Sequence, residues 1–154
     1  MDLRSHLEGI MEILNRSFGA ATPFLLSALR IVVGFMFAAH GAQKLFDVPA
    51  SGYGPVPLTS FMGFAGALEL FGGVFIIVGL FTRPVAFILS GMMAVAYFMS
   101  HAPSGFLPLV NKGELAVLYS FVYLFLAAAG GGPLSIDALL KRPAGSMDRA
   151  AALL

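Results

Sequence analysis

Cysteine is absent from the sequence, and charge is scarce. Without a thiol the chain has no structural disulfide, no thiolate metal site and no thiol redox chemistry of its own. Only 11% of its 154 residues are charged, against about 25% in soluble domains. A net charge of +1 leaves no electrostatic footprint for nucleic acid, which is not expected as a partner. What the chain has instead is apolar surface: 58% hydrophobic residues and a mean hydropathy of +0.89. A compact soluble fold of this length could not hide so much of it. The lipid bilayer is the expected solvent.

Four apolar runs approach the ~20 residues needed to cross a bilayer core, at about 24–46, 58–81, 84–100 and 113–129. The Pro/Gly-rich DVPASGYGPVP separates the first two and cannot continue a helix. Only the turn around FTRP divides the second from the third. HAPSGFLPLVNK joins the third to the fourth, with apolar residues suited to the membrane interface. Ahead of these runs, Leu3, Leu7, Ile10, Met11, Leu14 and Phe18 recur at helical spacing, with Arg4, Glu8, Glu12 and Arg16 between them. That pattern predicts an amphipathic helix on the membrane surface; its acidic residues argue against a signal peptide. The expected fold is therefore all-α. It comprises an interfacial helix over 1–20, an integral membrane four-helix bundle over 24–137 and a cytoplasmic tail over 138–154. Within it, Ser135 reads as the N-cap of a short helix with Asp137 in its first turn. No order is expected from Pro143 onward.

Basic residues predict the orientation. Arg4, Arg16, Arg83, Lys141, Arg142 and Arg149 share one side, and Lys44 and Lys112 lie on the other. The excess of positive charge places both termini in the cytoplasm.

One residue in FAGALELFGGVFIIVGL contradicts its surroundings: Glu69, about 12 Å into the second run at helical rise. At a similar depth lie His40 and Lys44 from the first run, His101 from the third and Glu114 from the fourth. Arg30 belongs to the opposite half of the first run. At 100° per residue, Arg30, Gly34, His40, Gly41 and Lys44 share one face, as do Gly66, Glu69 and Gly73. Small residues around a polar one mark close helix contact, and a charge facing lipid costs at least about 2.5 kcal/mol. Glu69 is therefore expected to meet a cation inside the bundle. His40 and Lys44 are nearest, and Arg30 is reachable through helix tilt. Gln43, Tyr97, Asn111 and Lys112 are secondary candidates for the same cluster.

Three readings fit such a cluster. It is an ion-paired plug that fixes helix register. Or it is a site for a polar or redox-active small molecule, such as a quinone headgroup, where His and Glu exchange protons with the ligand. Or it is a metal site of His40, Glu69, His101 and Glu114, suited to zinc, iron or manganese. No HxxxH or ExxH spacing supports a metal, and none is expected. Tyr119 and Tyr123 lie away from Glu114 on the fourth run, so they are expected to serve packing or interfacial anchoring. The eight methionines read as flexible core filling.

HGAQKLF, ALELFGGVFIIVGLFTR, NKGELAVLY and GGGPLSID occur in order between His40 and Asp137. Together with Arg30 and Gly34 they resemble the DoxX family. The resemblance implies a small bacterial inner-membrane protein with four transmembrane helices. Its recurring polar residues fall here on Arg30, His40, Lys44, Glu69, Arg83, His101, Glu114 and Asp137. It also implies links to thiosulfate:quinone oxidoreduction and to membrane complexes handling oxidative stress. An accessory subunit of a membrane redox system is therefore the leading expectation, more an auxiliary than a catalyst alone. Quinone is the candidate cofactor, and redox proteins or a second copy of the chain are the candidate partners. The alternative is a non-catalytic scaffold or small transporter-like protein.

Overall fold

A computed structural model describes residues 3–141; Arg142, Arg149 and the segment from Pro143 lie outside the described residues. Within them the chain is all-helical, without a strand. Helix α1 spans Leu3–Phe46, α2 Phe61–Val78, α3 Thr82–Ala96, α4 Pro108–Asn111, α5 Glu114–Ala129 and α6 Ile136–Leu140. A π turn, Tyr97–His101, and a 3₁₀ turn, Ala102–Ser104, extend α3. Three helical stretches are long and apolar enough to cross a membrane: His6–Phe46, Phe61–Val78 and Thr82–Ser104. Helix α5 is apolar but has only 16 residues, about 24 Å at 1.5 Å each.

The sequence divides α1 into a surface helix and a span; the structure does not. α1 runs unbroken for 44 residues, about 66 Å, through Pro23. That proline has no N–H to donate to the carbonyl one turn earlier. On either side of it the hydroxyls of Thr22 and Ser27 donate to the carbonyls of Phe18 and Pro23, at 2.9 and 3.1 Å, and the helix continues past it. From Leu3 to Ala20 every residue with a described side chain is exposed. The first third of α1 projects past the packed helices.

Two helix pairs make up the rest. α1 packs along α2, and α3 along α5, while α2 and α3 share a smaller contact. The α1–α2 pair closes on glycine. A Cβ on Gly41 would lie 2.3 Å from the Leu70 amide nitrogen, and one on Gly73 would lie 2.6 Å from that of Ala38. The α3–α5 pair closes on serine: Ser90 Oγ donates to the Ser120 carbonyl at 2.8 Å, and Ser120 Oγ to that of Ser90 at 3.1 Å. Between the pairs Phe37 sits against Tyr119 and Tyr123, with ring centroids 5.2 and 5.0 Å away. The outward faces of all four carry exposed Phe, Leu, Ile and Val, as lipid contact requires.

At the α2–α3 turn, the Asp137 carboxylate accepts from the amides of Phe81 and Thr82, both at 2.8 Å, and so caps α3. Asp137 N donates back to the Gly79 carbonyl at 2.9 Å. Ser135 caps α6 by accepting from Ala138 N at 3.2 Å, the role its sequence predicts. Arg83 donates to the carbonyls of Ala127 and Ala128, the free end of α5, at 3.2 and 2.7 Å.

Gly41→Ala should force α1 and α2 apart, because the atoms it meets are backbone. A loss of about 1–3 kcal/mol is expected in thermal melts of the detergent-solubilised protein. Gly9→Ala, with nothing within 4 Å, should leave stability unchanged or higher.

Burial alone would raise the Asp137 carboxyl, but hydrogen bonds from Thr82 and Phe81 and the Lys141 charge hold it below its ordinary 3.8. Its folded value is thus the lower one, so its contribution is complete above about pH 4. It is lost as pH falls further, through the depressed value. Asp137→Asn should lower the melting temperature at pH 7 and flatten its fall in that acid range.

Candidate functional site

The close approach of α1 and α2 sets Lys44 beside Glu69. Lys44 Nζ donates to Glu69 Oε1 at 2.5 Å, with the lysine side chain 29% exposed and the carboxylate side chain 7%. Gly66, one turn before Glu69, makes room: a Cβ there would touch Lys44 Cβ at 3.0 Å. The charge in the second run has the cation that its depth demanded. Its second oxygen, Oε2, is buried and accepts no hydrogen bond from the described residues.

Two cavities meet at this pair. The larger, about 530 Å³, lies between α2 and α3, walled by Phe61, Phe64, Leu68, Ile88, Met92 and Val95. Lys44, Glu69 and His101 form its polar end. The smaller, about 220 Å³, is lined by those same three residues together with His40, Lys112 and Tyr119. His40 is exposed and stands edge-on to Tyr119, with ring centroids 6.4 Å apart. The Tyr119 hydroxyl is buried and also has no partner among the described residues.

His101 reaches both cavities because the π turn lengthens the end of α3 before the chain breaks away; such turns recur at functional sites. Its Nδ1 lies 3.1 Å from the Asn111 carbonyl oxygen. Tyr97 and Asn111 hold that break in place. Tyr97 donates to the Phe106 carbonyl. Asn111 donates to Gly105 O at 2.6 Å and accepts from Gly113 N at 2.8 Å. Gln43 donates to the Pro49 carbonyl at 3.2 Å, tying the α1–α2 loop to its helix. These three candidates shape loops rather than line the smaller cavity.

Of the primary candidates, the structure brings together His40, Lys44, Glu69 and His101, with Lys112 alongside. Two are placed elsewhere. Arg30 is fully buried near the α2–α3 turn and does not reach Glu69. It donates to the carbonyls of Gly131 (2.8 Å), Ile77 (2.5 Å), Leu134 (2.6 Å) and Ile76. Its partners are the carbonyl end of α2 and the loop before α6, where the helix dipole favours a cation. Glu114 is exposed in the first turn of α5 and lines neither cavity. Helix N-termini favour acids, which accounts for it locally. The four-residue metal set is not assembled. Tyr119 packs in the core against Phe37 and Tyr123, as expected, and it also lines the smaller cavity. Its signal was the series Ala116, Tyr119, Tyr123 and Leu126, whose helical spacing marks the true buried face of α5.

The model of the DoxX family matches residues 25–102. The chain is 45% identical over 121 residues to a Haemophilus influenzae protein named Uncharacterized protein, covering 75% of this chain and 90% of that one. It is 28% identical over 127 residues to Putative oxidoreductase CatD of Bacillus subtilis, covering 80% and 90% of the two chains. No solved structure matches.

Removing one member of a buried ion pair strands the other's charge. Lys44→Met should therefore lower stability by about 3–5 kcal/mol, read as a melting shift in detergent. The double variant Lys44→Met/Glu69→Leu should recover most of that loss. A double variant no more stable than the single would show that the stranded charge is not the cause.

Proposed function

The chain belongs to the DoxX family, and on that premise we propose that it binds a quinone-type, lipid-soluble redox carrier as an accessory subunit of a membrane redox system. The observation that carries this reading is the 530 Å³ cavity, apolar along its length with a lysine, a carboxylate and a histidine at one end. Its volume suits a small-molecule site. Its walls belong to helix faces that also carry exposed Phe61, Phe64, Ile88 and Val95, so a carrier would reach it sideways from the lipid. The headgroup would lie against Lys44, Glu69 and His101, and its tail between α2 and α3.

The printed name of CatD supports an association with oxidoreduction and says nothing of substrate. With no cysteine, this chain would hold a carrier while partners perform any thiosulfate or oxidative-stress chemistry. In this reading α5 completes a four-helix transmembrane bundle in the bacterial inner membrane, its short ends reached by snorkelling side chains. Arg4, Arg16, Arg83 and Lys141 put both termini in the cytoplasm, so the ion pair sits toward the opposite face. The exposed stripe of Leu3, Leu7, Ile10, Leu14 and Phe18 would lie in the interface, bending away at Pro23, or meet a redox-protein partner.

One observation favours the scaffold alternative: Lys44 and Glu69 already pair with each other without a ligand. Purification in mild detergent followed by lipid extraction and mass spectrometry separates the two. A co-purified quinone is expected, together with stabilisation by added decylubiquinone of about 2.7 kcal/mol at 100 times its Kd. No quinone and no stabilisation would leave the scaffold as the better account.

A further inference from the structure

The cavity's polar end carries an acceptor that no described residue satisfies, and that imbalance bears on which redox form of a carrier it holds. Resting on the carrier reading above, we infer that the site selects the hydroxyl-bearing reduced form, a hydroquinone, over the oxidised dicarbonyl form.

Glu69 is 5% exposed. Its Oε1 accepts from Lys44 Nζ at 2.5 Å. A carboxylate accepts and cannot donate. Its buried Oε2 has no donor among the described residues, so a ligand that supplies one removes a standing desolvation cost. His101 adds to the imbalance. Its Nδ1 faces the Asn111 carbonyl, which only accepts, so Nδ1 must carry the proton. In the neutral ring Nε2 is then a second acceptor, on a side chain lining both cavities. The Tyr119 hydroxyl can donate or accept and does not discriminate. Lys44 keeps two N–H donors beyond the one that Glu69 takes, and Lys112 lines the smaller cavity, but both forms carry oxygen lone pairs to meet them, so donors do not discriminate.

A quinone presents carbonyl lone pairs alone, and against Glu69 Oε2 they would meet another lone pair. A hydroquinone presents two O–H donors. The two forms share ring and tail, so apolar contacts along Phe64, Leu68 and Met92 are common to both and cancel. Preference is left to the polar end. By linkage, each tenfold preference for the reduced form raises the two-electron potential of the bound couple by about 30 mV. The chain needs no electron-transfer group for this.

The test measures affinities of the full chain in nanodiscs for decylubiquinol, under anaerobic reducing conditions, and for decylubiquinone. Wild type should bind the quinol at least tenfold tighter. In Glu69→Gln the amide NH₂ puts a donor where the carboxylate had a lone pair, so the preference should vanish or reverse. His101→Phe, which removes the second acceptor and leaves the Lys44–Glu69 pair intact, should reduce the ratio several-fold and serves if Glu69→Gln does not fold. Equal or tighter quinone binding by wild type would overturn this inference and leave the carrier reading standing. A ratio unchanged in both variants would overturn it as well. Binding of neither form would sink both.

Discussion

The structure depends on how closely α1 approaches α2. Gly34 and Gly41 on one helix are seven residues apart, as are Gly66 and Gly73 on the other, and the two sets face each other. A methyl group on Gly34, Gly41 or Gly73 would fall within 3 Å of the partner's backbone. Arg30, Phe37 and Lys44 repeat at the same seven-residue interval on α1, so one seam carries a cation at each end and an aromatic between. Arg30 and Lys44 are about 21 Å apart along the axis. Each reaches its partner on α2 because the backbones touch between them. In lipid, where apolar side chains gain nothing by leaving one apolar medium for another, such backbone proximity is the main source of helix association.

The two buried cations are stabilised in different ways, and the difference separates structure from site. Arg30 spreads four contacts over carbonyls from α2 and the loop before α6. Its planar, fixed fork suits that geometry. Two of those carbonyls belong to the last turn of α2, where helix ends leave acceptors open, and two to the loop before α6, so each guanidinium nitrogen has a backbone partner. Lys44 meets a single carboxylate and satisfies one of its two oxygens. A buried ion pair contributes little net stability compared with a well-packed apolar pair. Its unsatisfied atom, buried on a residue that lines both cavities, is where the chain's polar chemistry remains open.

Much of this was legible in the sequence, and the exceptions have physical reasons. The glycine faces and the meeting of Glu69 with Lys44 followed from helical spacing and depth, because both are properties of regular helices. Arg30 was misplaced as a partner because matching side-chain charges overlooks carbonyls at a helix end. Glu114 was read as marking the inner face of α5, but an acid in a first turn is already favoured by the helix dipole. Tyr119 lies away from Glu114 as read, and that side is the buried face of α5. The unbroken course of α1 was hidden because the amphipathic pattern that ends at Phe18 and the apolar run from Phe24 read as two segments, although one helix carries both. The bounds of α5 were legible as well, because Gly130 ends the apolar run where the backbone ends the helix.

The cavity's position follows from the way the four helices divide. Glycine closes α1 on α2, and reciprocal serine bonds close α3 on α5. Between α2 and α3 neither device brings the backbones together, and Gly72 makes room only for the Leu89 side chain. Facing that gap, α2 offers Phe61, Phe64 and Leu68, and α3 offers Ile88, Met92 and Val95, all too large for backbones to meet. Large side chains prop the two pairs apart at one edge, while Phe37 packed against Tyr119 and Tyr123 joins them at the other. The space that remains ends at the Lys44–Glu69 pair because that is where the glycine seam brings charge to its edge. An apolar slot with a carboxylate at its end is therefore a consequence of the packing. It needs no separate device to build it.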